Sequence, residues 1–352
     1  MTARAAPPAF SGLALDTLAE SLGGRTRALA ARRWLFTCRP VPTVLPERIP
    51  SVAAVAWTRL RDAAPLPRWR LVERAASPDG TVKHVLDVDG AQVETVLIPT
   101  AARSTVCVSS QSGCSRSCAF CATATLGFRR QLTAAEIVLQ YLVAQSEAPP
   151  TAPLRNVVFM GMGEPMDNLD EVMAAVDRLL EPPLPRLAAQ HVTVSTSGVL
   201  PGMKRFLREG RGQLALSLNA STDSTREALM PHTRQWPIRD LLEALREDQA
   251  RGSGRRYFIE YVLWEGVNDS DEDARRLVEL LRGLQAHVNL IPHNAFATSP
   301  LRAPGRAAVE RFQALLHGGG VRCLVRSPRG QEISAACGQL ALVSGGSAAP
   351  AG

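Results

Sequence analysis

The chain has 352 residues, 45% of them apolar, and a formal net charge of +7. This length suits one large domain with smaller additions, and the apolar share is enough for a sizeable buried core. No uninterrupted apolar run reaches the roughly 18 residues of a membrane span, and Met1 to Phe10 lacks a basic start followed by an apolar stretch, so neither a span nor a secretory signal is expected and the cytoplasm is the default. The basic excess suits a polyanionic partner such as nucleic acid. Nearly all of it is Arg, however, with Lys only at 83 and 204, and abundant Ala and Pro make a GC-rich genome an equal explanation.

In chain order, Arg25 to Phe36 and Val52 to Arg61 read as short helices, and Ser77 to Ile98 as a β-hairpin with Pro78, Asp79 and Gly80 at one turn and Asp89 and Gly90 at another. From about residue 105 short apolar runs alternate with helical patterns, the mark of a parallel sheet with crossover helices. The expected strands are Thr105 to Ser109, Asn156 to Met160, His191 to Ser195, Gln213 to Leu218, Arg256 to Leu263, Ala286 to Ile291 and Val321 to Val325. One helix starts near Thr133, where Thr133 and Glu136 form a capping box ahead of Ile137, Val138 and Leu139. Others cover Leu169 to Leu180, Ile238 to Arg251, Asp271 to Leu281 and Pro304 to Leu316. Six or so βα units in series fit an α/β fold of the partial (β/α)6 barrel kind better than a doubly wound sheet. In both, ligands gather at the C-terminal ends of the strands. The expected division is residues 1–76 as an accessory domain, 77–342 as the core, and 343–352, rich in Gly, Ser, Ala and Pro, as a disordered tail.

Seven cysteines, at 38, 107, 114, 118, 121, 323 and 337, make an odd number with three inside eight residues. That pattern argues against a secreted disulfide framework and for a metal site in a reducing compartment. Cys114, Cys118 and Cys121 lie just after the first core strand. Three thiolates on one loop can converge on a [4Fe-4S] cluster and leave its fourth iron open. Zinc is the rival, but a structural zinc site wants four ligands, usually as two separated pairs, and no partner pair is apparent. A lone Cys is more often a small buried hydrophobe, the reading given to Cys38 and Cys323.

With Phe120 before Cys121, the triplet resembles the CxxxCxxC loop of the radical S-adenosylmethionine (SAM) superfamily. The flanks narrow the likeness. Val106-Cys107-Val108-Ser109-Ser110-Gln111-Ser112-Gly113-Cys114, then Cys121-Ala122-Thr123-Ala124 and Gly127-Phe128, resemble the RlmN/Cfr-type radical SAM RNA methyltransferases. So do Val93 to Pro99, Gly161-Met162-Gly163-Glu164-Pro165, Ser195 to Gly198, Leu216 to Ala220, Asn289 to Asn294 and Ala335 to Leu340, all in order, over about residues 77 to 342.

The resemblance implies a reaction and a set of roles. Cys114, Cys118 and Cys121 would hold the [4Fe-4S] cluster; Gly163, Glu164, Ser195, Ser217, Leu218, Asn219 and Asn294 would contact SAM, of which two are used per turnover. Cys337 would be methylated by the first SAM. A 5′-deoxyadenosyl radical from the second would abstract hydrogen from the S-methyl group, and the methylene radical would add to C2, more than C8, of an adenine in ribosomal or transfer RNA. Cys107 would resolve the adduct through a transient disulfide with Cys337, and Glu94, otherwise read as a solvated strand residue, would accept the ring proton. An electron donor such as flavodoxin or ferredoxin, and a monomeric enzyme, follow from the same likeness. Asn219 stands where the family commonly has His, so a proton-carrying role there is in doubt. Arg25, Arg27, Arg32 and Arg33 suit either RNA backbone contact or a solvated face. A radical SAM enzyme acting on a protein or small molecule would explain the triplet but leave Cys337 without a purpose.

Overall fold

The computed structural model describes residues 8–182, 187–296 and 299–342. The expected tail at 343–352 lies outside the described residues. Three helices come first, α1 (Leu15–Leu22), α2 (Arg25–Thr37) and α3 (Ala54–Ala63). An antiparallel meander of β1 (Trp69–Ala76), β2 (Val82–Val88) and β3 (Ala91–Pro99) follows. Asp89 and Gly90, with φ of 47° and 81°, make the tight turn between β2 and β3, the geometry that matches strand twist in a two-residue hairpin loop. The turn at Pro78 to Gly80 joins this hairpin to β1, a strand not expected from the sequence. Its charged residues sit on an exposed edge, so no apolar alternation marks it.

Then come β4 (Ser104–Cys107), β5 (Gln111–Gly113), β6 (Phe128–Gln131), α4 (Ala134–Glu147), β7 (Leu154–Phe159), α5 (Leu169–Leu180), β8 (Val192–Thr196), α6 (Leu200–Glu209), β9 (Gln213–Ser217) and α7 (Asp223–Leu229). The chain ends with α8 (Ile238–Ala250), β10 (Tyr257–Leu263), α9 (Asp271–Leu281), β11 (Ala286–Pro292), α10 (Arg306–Gly318) and β12 (Arg322–Val325). The main sheet runs β1-β2-β3-β4-β7-β8-β9-β10-β11-β12. From β4 onward every neighbour is parallel and the order never reverses. A doubly wound sheet reverses at a switch point, so this is the singly wound arrangement of a barrel, left open because β12 does not return to β4.

All seven expected core strands are present, as are the five expected core helices, to within two residues at most ends. The capping box on α4 forms as expected: Glu136 N donates to Thr133 Oγ1 at 3.3 Å and Thr133 N to Glu136 Oε2 at 2.7 Å. Buried all along Ala134 to Ala144, α4 is covered outside by the N-terminal helices, with the rings of Phe36 and Tyr141 6.3 Å apart. Arg32 belongs to this contact and not to a solvated face. It is 2% exposed, pairs with Glu181 at 3.2 Å and donates to Arg178 O at 2.6 Å.

Candidate active site

The cysteine loop leaves β4 and is pinned before it begins. Gln140 on α4 accepts from Ser109 N at 2.8 Å and donates to Ser109 O at 2.9 Å. The small sheet of β5 and β6 then brackets the loop, and Cys114 N donates to Gly127 O at 3.0 Å. Gly113 is required here, since with φ of 73° a Cβ would run into the Gly127 carbonyl. Cys121 N bonds Cys118 O at 3.2 Å, folding the three thiols onto the rim of one cavity.

That cavity is partly open to solvent and is lined by the three thiols together with residues at the ends of β7, β8, β9 and β11. It opens at the C-terminal ends of the parallel strands, as expected. Burial pushes the Cys114 thiol up to about 11 and raises Cys118 and Cys121 as well. Thiols so placed need positive charge beside them to ionise, which iron supplies as it displaces their protons. Among the described residues no group of three or more His, Cys, Asp or Glu is arranged to hold a single metal ion. Three thiols spread around one rim fit a multi-iron cluster instead.

Beside the cluster loop, Gly161 to Pro165 leaves β7. Gly163 has φ of 101°, and a Cβ there would strike the Gln111 side chain 2.6 Å away. The bend turns the Glu164 carboxylate into the cavity wall. Ser197 N and Oγ donate to Glu164 Oε2 at 2.8 and 2.7 Å, and Met166 N to Oε1 at 3.0 Å. Burial nonetheless raises the Glu164 carboxyl above the usual range, the Ser197 bonds working against it. A buried carboxylate of this kind is ready to receive a cationic amino group.

Ser195, Ser217, Asn219 and Asn294 also line the cavity. Asn219 adopts φ of 61°, a left-handed conformation that Asn tolerates better than most residues. Its side chain accepts from Val262 N at 3.0 Å, so it braces β10. Asn294 donates to Cys337 O at 3.2 Å and positions the segment that carries this thiol. Leu218 differs from the others: its side chain is fully buried in the core and does not reach the cavity.

Cys337 opens into the cavity. Its side chain is accessible to water yet enclosed by protein, and burial followed by the nearby Glu260 charge pushes its thiol up to about 11. Ala122 N donates to Gly338 O at 2.7 Å and Thr123 Oγ1 to Leu340 O at 2.6 Å, so the Cys337 segment is fastened to the cluster loop. Cys107 lies behind the cavity wall, 7% exposed, among Val96, Met162, Ala335 and Leu340. Burial raises its thiol, and the charge of Cys337 adds to the shift. All seven cysteines are free thiols; the expected disulfide between Cys107 and Cys337 is not formed.

Glu94 is not solvated. It is 0% exposed, forms an ion pair with Lys83 at 3.0 Å and accepts from Leu342 N at 3.2 Å. Among the charged groups at the site, Glu260 and Arg226 were not foreseen. Glu260 on β10 lines the cavity, accepts from Asn289 Nδ2 at 2.7 Å, and is raised by burial to about 7. A lone carboxylate in the apolar run Tyr257 to Leu263 was the signal available for it. Arg226, 1% exposed, donates to Ser197 O at 2.5 Å and Leu218 O at 3.1 Å, tying together the loops after β8 and β9.

Known proteins agree with this geometry. Residues 108–278 match the radical SAM superfamily model. A probable RNA methyltransferase of Sorangium cellulosum is 46% identical over 86% of this chain and 77% of its own length. A dual-specificity RNA methyltransferase RlmN of Anaeromyxobacter dehalogenans is 43% identical over 94% of this chain and 90% of its own length. A solved radical SAM methyltransferase from Sphaerobacter thermophilus superposes with a TM-score of 0.86 at 40% identity, covering 95% of this chain and 99% of that one. With three thiols on one rim, a buried carboxylate beside them and the barrel in place, the chain belongs to the RlmN family of radical SAM RNA methyltransferases, enzymes that work with a [4Fe-4S] cluster and SAM.

Proposed function

We propose that the enzyme methylates C2 of an adenine in ribosomal or transfer RNA through an S-methylcysteine at Cys337, consuming two SAM per turnover. The observation that carries this reading is the placement of Cys337 in the cavity rimmed by Cys114, Cys118 and Cys121. When bound, the cluster supplies the electron that cleaves SAM to a carbon radical. Glu164 receives the amino group of SAM, while Ser195, Ser217 and Asn294 offer it hydroxyl and amide contacts. Leu218 contributes only its backbone, since its side chain lies in the core. The Cys337 sulfur takes the methyl group of a first SAM; after a hydrogen atom is lost from that group, its carbon, still bound to the sulfur, forms the bond to the ring carbon, and the one electron the adduct must lose returns to the bound cluster.

Cys107 resolves this adduct. Its thiolate attacks the Cys337 sulfur, the S–S bond forms, and the carbon–sulfur pair leaves with the carbon, which is protonated to methyl. Glu94 accepts the ring proton. Leu342 N donates to Glu94 at 3.2 Å, so the end of the Cys337 segment lies against this base. The RNA reading is supported by the names of the relatives and by the net charge of +7. The remaining expectations are retained in the proposal: an electron donor of the flavodoxin or ferredoxin kind, a monomer, and action in the cytoplasm. So is an accessory role for residues 1–76 in holding RNA, now without Arg32.

The experiment is mass spectrometry of nucleosides from RNA incubated with the anaerobically reconstituted enzyme, together with peptide mapping. 2-Methyladenosine in the RNA, and one added methylene on Cys337, are expected. 8-Methyladenosine would correct the ring position. Absence of any methylated adenosine, with SAM still being cleaved, would sink the RNA reading in favour of a protein or small-molecule substrate.

A further inference from the structure

Lys83 is one of two lysines in the chain and sits in β2, 1% exposed. An ammonium so placed gives up its hydration and is costly unless paired. Its Nζ lies 3.0 Å from Glu94 Oε1. Register explains the meeting. Lys83 stands opposite Val96, Val96 opposite Cys107, and Glu94 opposite Val85, so Lys83, Glu94 and Cys107 share one face of the sheet. Glu73 on β1, opposite Val85, shares it too. From the carrier segment, the backbone N–H groups of Ala341 and Leu342 face Glu94.

Two effects compete at Glu94. Burial penalises the carboxylate, while the Lys83 ammonium and the two N–H groups favour it; the net result holds the carboxyl above its usual range. The group is therefore more basic than a surface carboxylate, and the ammonium keeps it from being protonated before it is needed.

We propose that Lys83 is a positioning residue for methyl transfer, its ammonium holding the Glu94 carboxylate ionised and aimed at the face where Cys107 resolves the adduct. The proposal rests on Glu94 being the proton acceptor. In the step concerned, the ring C–H bond breaks, its electron pair stays in the ring, and its proton forms an O–H bond on Glu94. Lys83 changes no bonds.

The test uses reconstituted Lys83→Met enzyme with RNA, beside Lys83→Arg, Glu94→Gln and the Lys83→Met/Glu94→Gln double variant. In Lys83→Met, 5′-deoxyadenosine should form at close to the wild-type rate while the covalent protein–RNA adduct persists. Its resolution should slow roughly 10- to 100-fold at neutral pH and recover as the pH rises, because an unassisted buried carboxyl ionises only there. Lys83→Arg, which keeps the charge, should restore most of the rate, and the double variant should be no slower than Glu94→Gln. Adduct decay in Lys83→Met at the wild-type rate with an unshifted pH profile would overturn the role of Lys83 alone. A double variant slower by the product of the two single effects would do the same, because Lys83 would then act independently of Glu94. Wild-type decay in Glu94→Gln would overturn the assignment of Glu94 and, with it, this proposal. If Lys83→Met fails to fold, Lys83→Arg and the double variant decide, since neither buries a lone charge.

Discussion

Glu260 shows how much a single buried group adds to the site. Burial holds its carboxyl at about 7, against the ordinary value of 4.5. The sign follows from the direction of the shift. With the folded value above the unfolded one, the protonated form favours the fold below about pH 4.5, and that contribution is lost as the pH rises through about 7. Glu260→Gln mimics the protonated state. Thermal unfolding of the cluster-free variant should therefore match wild type near pH 4 and exceed it at pH 8 by about 3 kcal/mol, the size of such a shift. Equal differences at both pH values would show that Glu260 is already ionised without strain. Glu94 and Lys83 teach the same lesson about legibility. Strand alternation correctly places Glu94 on the face away from the main core, but that face is covered by Ile333 to Leu342, which lie more than two hundred positions further along the chain. No local pattern in the sequence reveals such a cover.

At the scale of elements, what could be read and what could not have separate causes. The inner strands β9 and β10 are buried at most positions and stand out as apolar runs, while β12 at the edge is mostly exposed. Helices α6 and α7 were missed. The first opens with Pro201 and Gly202, which read as a turn, and the second is only 7 residues long. Of the N-terminal helices, α2 and α3 were recognised and α1 was missed, and the use of α2 was not foreseen. Arg32 lies on the inner side of α2 and joins Glu181 at the end of α5. Arg32→Met should lower stability by about 1–3 kcal/mol, because Leu13 O and Arg178 O lose a buried donor while Glu181 keeps Arg178 and Leu15 N as partners, seen as a lower urea midpoint. Arg33→Met, on the exposed side of the same helix, should shift that midpoint little. A similar midpoint for both would mean that α2 does not depend on the Glu181 contact.

At the scale of the whole molecule, the cavity is closed by elements from opposite ends of the core. The cluster loop follows β4, and the carrier segment follows β12, yet two hydrogen bonds hold them edge to edge. Ordering one should order the other. Hydrogen exchange at residues 335–342 should slow when the cluster is loaded, while exchange in α1 to α3 stays as it was. Slowing spread evenly over the chain would instead indicate a general change in stability.

That same fastening sets an order of events during synthesis. Thr123 and Leu340 are 217 positions apart, and at roughly 5–20 residues per second the ribosome needs about 10–40 s to travel between them. For that interval the three cluster cysteines exist without the segment that walls them in. A cluster delivered then enters an open site with no carrier thiol beside it, and one delivered after release must pass the finished wall.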